Sequence, residues 1–246
     1  MICFARTDTG RVRKMNQDSI FASVEPVGPL SNLFIVADGM GGHKAGDFAS
    51  RFVIENMKEE IGQMAGMSPV MALRKAIELT NDGLFEAAES DPDREGMGST
   101  LVAATIADNT MYVANVGDSR LYLLRDRLSQ ITRDHSLVEE MVAMGRMTRN
   151  SESYNSQKNI ITRAVGIRKA VQPDFFEVPL MECDCILLCS DGLTNMIEDE
   201  GISRILKTTD TLEEKTRTLI DRANENGGRD NIAVVLVEPR ISEVKV

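Results

Sequence analysis

Apolar residues along this chain follow two patterns. Short apolar runs bounded by Gly, Asn, Asp or Ser read as strands. They fall at 2–7, 19–24, 33–37, 99–107, 110–116, 120–124, 128–131, 175–178, 185–190 and 232–237. A helical stripe of Phe48, Phe52, Met57 and Ile61 predicts a helix over 47–61. Val70, Leu73, Ile77, Leu84 and Ala88 predict a second, with Ser68-Pro69 as N-cap and first helical residue. Further helices are predicted at 136–144, 199–207 and 212–226. The polar segment 145–158 has no period and is expected to be a mobile loop.

The turns constrain how these elements pair. Asp108-Asn109, Gly117-Asp118 and Arg125-Asp126 leave room only for tight turns, so their flanking strands must be antiparallel. Antiparallel blocks alternating with helix pairs predict an α+β fold. It is a β-sandwich of two mainly antiparallel sheets flanked by helix pairs, layered α/β/β/α. No linker or repeat divides the chain, so one domain is expected over 1–240, with a short tail at 241–246.

The 246 residues suffice for a sizeable core. With 28 basic and 38 acidic residues the net charge is −10, which opposes nucleic acid or an anionic membrane as partner. An anionic substrate would need metal ions or a placed Arg. Cys183, Cys185 and Cys189 are expected on one strand face; with Cys3 they read as buried reduced thiols, since no zinc spacing follows. No signal peptide or membrane-length apolar run is visible, so a cytoplasmic protein is expected.

Candidate chemistry gathers at strand ends. Asp38 follows the run 33–37 and precedes Gly39, Gly41, Gly42 and His43. Asp191 follows 185–190, and Asp230 precedes 232–237. One such aspartate is usually only a turn former. Three together suggest hard oxygen ligands for Mg²⁺ or Mn²⁺, with Gly39 letting the backbone approach and offering its carbonyl. Asp118 is a fourth candidate, competing with a plain turn role. No Gly-Lys-Ser/Thr follows the glycines, which excludes a P-loop. Of the two histidines, His43 is the better placed acid, and His135 reads as capping or packing. Arg13 lies in a basic turn and could grip a phosphate bidentately.

Taken in order, these segments resemble the PPM (type 2C) metal-dependent serine/threonine protein phosphatases in their compact bacterial form. The resemblance rests on Thr7-Asp8-x-Gly10 through Arg13 to Asn16-x-Asp18, Ala37-Asp38-Gly39-Met40-Gly41-Gly42-His43 and Met97-Gly98-Ser99-Thr100-Leu101. It continues through Val116-Gly117-Asp118-Ser119-Arg120, Asp134-His135-Ser136, Ile161-Thr162-Arg163-Ala164-Val165-Gly166, Ser190-Asp191-Gly192-Leu193 and Gly228-x-Asp230-Asn231.

The resemblance implies hydrolysis of phosphoserine and phosphothreonine in proteins by a metal-activated water, opposing a Ser/Thr kinase. Two Mn²⁺ or Mg²⁺ ions are implied, with Asp38 bridging, Gly39 giving a carbonyl, and Asp191 and Asp230 completing one site. A third ion, bound in bacterial relatives, would use Asp118 with Asp191. Arg13 matches the phosphate-binding Arg, His43 the acid that protonates the leaving group, and 145–158 the flap. Asp18, Gln17 and Asn231 would support the ligands from behind. Gln17 departs from the family's Asn-Glu-Asp, keeping hydrogen bonds but losing a charge near the second metal. Ser156 stands where a flap histidine is frequent. A monomer acting on phosphorylated proteins is expected. The rivals are a non-catalytic phosphoprotein-binding module on the same fold, which intact ligands oppose, and a metal nuclease, which the acidic charge opposes.

Overall fold

The computed structural model describes residues 1–42, 45–149 and 151–239, without the side chain of Asn155. In chain order it has β1 (Ile2–Asp8), β2 (Asp18–Ser23), β3 (Leu33–Met40), α1 (Ala45–Gln63) and α2 (Pro69–Glu89). Next come β4 (Gly98–Ser99), β5 (Leu101–Ala107), β6 (Thr110–Val116), β7 (Arg120–Leu124), β8 (Leu128–Gln130), α3 (Leu137–Ala143) and α4 (Glu152–Gln157). The chain closes with β9 (Asp174–Pro179), β10 (Cys185–Cys189), α5 (Asp191–Thr194), α6 (Asp199–Leu206), α7 (Leu212–Glu225) and β11 (Ile232–Glu238).

The strands form two sheets, ordered β1-β11-β10-β7-β8 and β2-β3-β5-β6-β9, with β4 beside β3; every pairing is antiparallel. Helices α1 and α2 cover the second sheet, and α5, α6 and α7 the first. The four-layer sandwich is therefore as expected. Both faces of the central strands are buried, which is why they read as unbroken apolar runs. On β3, Leu33, Ile35 and Ala37 pack under α1 and α2, while Phe34 and Val36 face the other sheet. On β11, Ile232, Val234 and Leu236 face helices, and Ala233, Val235 and Val237 fill the space between sheets. Truncating one such residue, Leu187→Ala for example, should cost about 2–5 kcal/mol.

Local chemistry explains the joints. Asp108 and Asn109 have φ of 49° and 58°, the left-handed pair that a two-residue hairpin needs. Thr211 and Glu214 cap α7 reciprocally. Among the described residues no helix is long and apolar enough to cross a membrane.

Four expectations change. Asp38 does not end its strand, because Gly39 and Met40 continue β3 by pairing with Ser99 and Gly98. Cys183 stands apart from the strand face, exposed in a turn at φ 66°, whereas Cys185 and Cys189 are buried beside Leu187. Cys3 is only partly buried. The segment 145–158, expected to be an aperiodic loop, contains α4: the Ser151 hydroxyl caps it through Tyr154 N–H, and the buried Tyr154 hydroxyl donates to Glu139 at 2.8 Å. That helix is too short to display a period, so its signal was a cap and one aromatic.

Candidate active site

Register brings the first two carboxylates together. Asp18 on β2 lies opposite Asp38 on β3, so both side chains leave the same face. That face is the inter-sheet one, since Phe34 and Val36 share the parity of Asp38. The open end of the sandwich thus collects carboxylates from one sheet, and the other sheet supplies Asp191 and Asp230 just beyond β10 and just before β11.

Each position is fixed by backbone chemistry. Asp38 N–H donates to Thr100 Oγ1 at 3.0 Å, and its carbonyl accepts from Thr100 N–H at 2.8 Å and Ser99 Oγ at 3.0 Å. Thr100 is tied in turn to Ser119 Oγ at 2.8 Å, beside Asp118. Gly39 N–H donates to the Gln17 carbonyl at 3.0 Å. A Cβ on Gly39 would collide with the carbonyl of Gly46 at the start of α1, so only glycine allows that approach. Gly192 is equally constrained, by the Asn231 carbonyl. Asp191 opens α5, and its Oδ2 accepts from Asn195 Nδ2 at 2.8 Å.

Asp18 is buried, and its Oδ2 accepts from Ser190 Oγ at 2.6 Å. Its Oδ1 is buried with no hydrogen-bond partner among the described residues. Asn231 holds the loop that carries Arg13, rather than a carboxylate of another strand. Its Nδ2 donates to the Thr9 and Met15 carbonyls, both at 2.9 Å, and its Oδ1 accepts from Gln17 N–H at 2.8 Å. Arg13, half exposed, donates from Nη2 to Asp230 Oδ2 at 2.7 Å. The Gln17 amide lies against Gly46.

Burial and crowding raise the pKa values of these carboxyls. Burial, and then the charges of Asp18, Asp191, Asp118 and Asp230, hold Asp38 well above the usual carboxylate range. Burial pushes Asp18 and Asp118 up to about 8, with Asp191 adding repulsion to each. Asp191 is raised to about 6 by burial and by Asp230. Asp118 and Asp191 line one cavity of about 330 Å³ with Arg120, Asp134, Tyr154 and Lys158. Burial there lowers the Lys158 ammonium.

These residues fit a hard divalent cation. The donors are all oxygen, the cluster is short of positive charge, and Asp18 presents an unsatisfied buried oxygen. Among the described residues no three His, Cys, Asp or Glu groups form a ready cage.

His43 lies outside the described residues. His135 is a packing residue, as expected. Its Nδ1 accepts from Gly117 N–H at 3.1 Å, which leaves the proton on Nε2, 3.2 Å from Asp174 Oδ2. Burial lowers its pKa. The sequence reading assigned no role to Ser190, Thr100, Ser119 or Asn195. Their signal was a hydroxyl or amide adjoining each aspartate motif.

A sandwich whose open end gathers buried aspartates beside one half-exposed Arg offers a candidate site for metal-assisted hydrolysis of an anionic ester. The model of the Protein phosphatase 2C family matches residues 9–232, and the chain belongs to that family and is a protein phosphatase. It is 43% identical to serine/threonine phosphatase stp of Listeria monocytogenes, over 97% of this chain and 96% of that one. The structure of the S. agalactiae serine/threonine phosphatase is similar at TM-score 0.90 and 36% identity, covering 97% of this chain and 99% of the other. The catalytic domain of the phosphatase PstP, solved in complex with two manganese ions, is similar at TM-score 0.84 and 37% identity, covering 96% of each chain.

Proposed function

We propose that the protein hydrolyses phosphoserine and phosphothreonine in other proteins at a pair of Mn²⁺ or Mg²⁺ ions, opposing a Ser/Thr kinase. The observation that carries this is the gathering of Asp18, Asp38, Asp118, Asp191 and Asp230 at one end of the sandwich, where burial first and mutual repulsion second raise the pKa values of Asp18, Asp38, Asp118 and Asp191. The names of the relatives support the substrate class.

Asp38, Asp191, Asp230 and the Gly39 carbonyl would hold the pair, and Asp118 with Asp191 a third ion. When bound, such ions lower the pKa of a water and supply hydroxide at neutral pH. The chain's own residues do the rest. Asp18 and Gln17 back the ligands: Asp18 through its free Oδ1, and Gln17 through the carbonyl that fixes Gly39. Arg13, mounted on the loop that Asn231 holds, leaves Asp230 to grip two phosphate oxygens. His43 protonates the serine or threonine oxygen as it leaves. The protein acts as a cytoplasmic monomer.

Phosphate release from a phosphothreonine peptide with Mn²⁺, with Mg²⁺ and with chelator tests this. Turnover should require either metal. Full turnover in chelator, with metal absent by elemental analysis, would overturn it.

A further inference from the structure

An apolar groove adjoins the candidate site. Met40 directly follows Gly39, whose carbonyl is a candidate ligand, and it lines a cavity of about 730 Å³ with Ile161, Ile167 and Val171. The groove therefore begins one residue from the metal-binding end. Strand pairing fixes that position. Met40 lies opposite Gly98 on β4, and Ser99 exchanges both backbone hydrogen bonds with Val165, at 3.0 and 2.9 Å. Ile167 lies across Gly98, where a Cβ would collide with its side chain. Ile167 is nonetheless 40% exposed.

A buried amide holds the rim. The chain turns at Gly166, with φ 86°. Asn81 of α2, buried, accepts from Gly166 N–H at 3.0 Å and donates to the carbonyls of Arg168 and Lys169 at 3.0 and 3.3 Å. Arg168 and Lys169 are exposed, and among the described residues neither has an ion-pair partner. Arg163, in the same lining, is already paired with Asp174 at 3.1 Å. Among the described residues Glu140 is the one acid of the lining. Two unpaired cations thus stand against one acid, in a chain whose net charge is −10.

We propose that this groove binds the substrate polypeptide on one side of the phosphorylated residue, selecting an apolar side chain and, farther from the phosphate, Asp or Glu. The proposal rests on the phosphatase reading of the neighbouring site. The apolar side chain would lie on Met40 and Ile167, and the carboxylate would meet Arg168 and Lys169. An extended peptide advances about 3.5 Å per residue, so a groove starting at Met40 receives the residues next to the phosphorylated one. The turn held by Asn81 is ordered before the peptide arrives, which lowers the cost of binding there. Charges at an exposed rim act more on encounter and selection than on tightness.

The test uses the whole chain with Mn²⁺ and four phosphothreonine peptides sharing one core. Each carries Leu followed outward by Glu or by Lys, on either its N-terminal or its C-terminal flank. On one flank the acidic peptide should have the higher kcat/KM, by about tenfold at low salt. That preference should shrink as salt is raised. The net charge of −10 would by itself favour the basic peptides, so an acidic preference isolates the local cations. In the double variant Arg168→Glu/Lys169→Glu the preference should vanish or invert, while kcat/KM for an aryl phosphate and the melting temperature stay unchanged. Exchanging the Leu of the preferred peptide for Ser should lower kcat/KM severalfold. Equal turnover of acidic and basic peptides on both flanks, an undiminished preference in the double variant, or indifference to the Leu exchange would overturn the subsite alone. Failure of the wild type on every peptide and on the aryl phosphate would overturn the phosphatase reading, and this proposal with it.

Discussion

Two regions of this molecule bury aspartates, and they treat them in opposite ways. Asp184 has a side chain with no exposure, yet its Oδ1 and Oδ2 each accept from Arg125 at 2.8 Å, and Oδ2 also takes Met181 N–H at 2.7 Å. Asp134, on the wall of the cavity that holds Asp118 and Asp191, is likewise forked by Arg120, with a further donor in Gln130, so a paired carboxylate can stand beside crowded ones. At the open end of the sandwich, among the described residues, five carboxylates have one close ion pair, Arg13 with Asp230, and an unpartnered oxygen on Asp18. The first region is complete as folded. The second stores repulsion that a bound cation would relieve, so it loses stability in exchange for affinity. Residue type does not distinguish the two; the supply of donors does.

The comparison breaks most sharply at Asp38. Asp38→Asn should lower kcat/KM on a phosphopeptide by about 100-fold or more. The same variant should melt at a higher temperature than the wild type in chelator, because one repelling charge is gone. A lower melting temperature in chelator would show that Asp38 is a structural carboxylate like Asp184.

pH sharpens the contrast next. Asp18 and Asp118 are held at about 8 and Asp191 at about 6, above the unfolded value of 3.8. In that window the folded chain binds more protons than the unfolded one, so stability falls as pH rises through those values. In chelator the melting temperature should therefore rise as pH is lowered from about 8.5 to about 6.5, and saturating Mn²⁺ should flatten the slope. A slope of the opposite sign in chelator would mean that the carboxylates are already compensated.

At the structural pair the outcome reverses. Arg125→Ala strands Asp184 and should cost about 2 kcal/mol, less than for a fully buried pair because Arg125 is 33% exposed and screened. Phosphatase activity of the surviving folded fraction should be unchanged, which denaturant melts and kinetics on one preparation would check.

Gln17→Glu gives the smallest effect. Adding a charge beside Gly39 should lower the Mn²⁺ concentration for half-maximal activity by about tenfold or less, and lower the melting temperature in chelator. An unchanged Mn²⁺ requirement would show that a charge at position 17 does not reach the bound ions.

The sequence by itself determined the longer elements, the hairpins and the candidate ligands, but not the short helices α4 and α5. Apolar runs, tight turns and aspartates beside glycines are local signals, and each survives in the fold. It marked Asp38 and Asp230 as candidate ligands but could not say which aspartates carry their own cation. Only the tertiary structure decided that, by placing Arg120 and Arg125 against Asp134 and Asp184 while β2 and β3 set Asp18 opposite Asp38. It alone showed that Asn231 holds the Arg13 loop across more than 200 positions of sequence. The physical reason is the range of the forces. Helix and turn preferences act between neighbours in the chain, whereas charge balance and side-chain donors are counted in space.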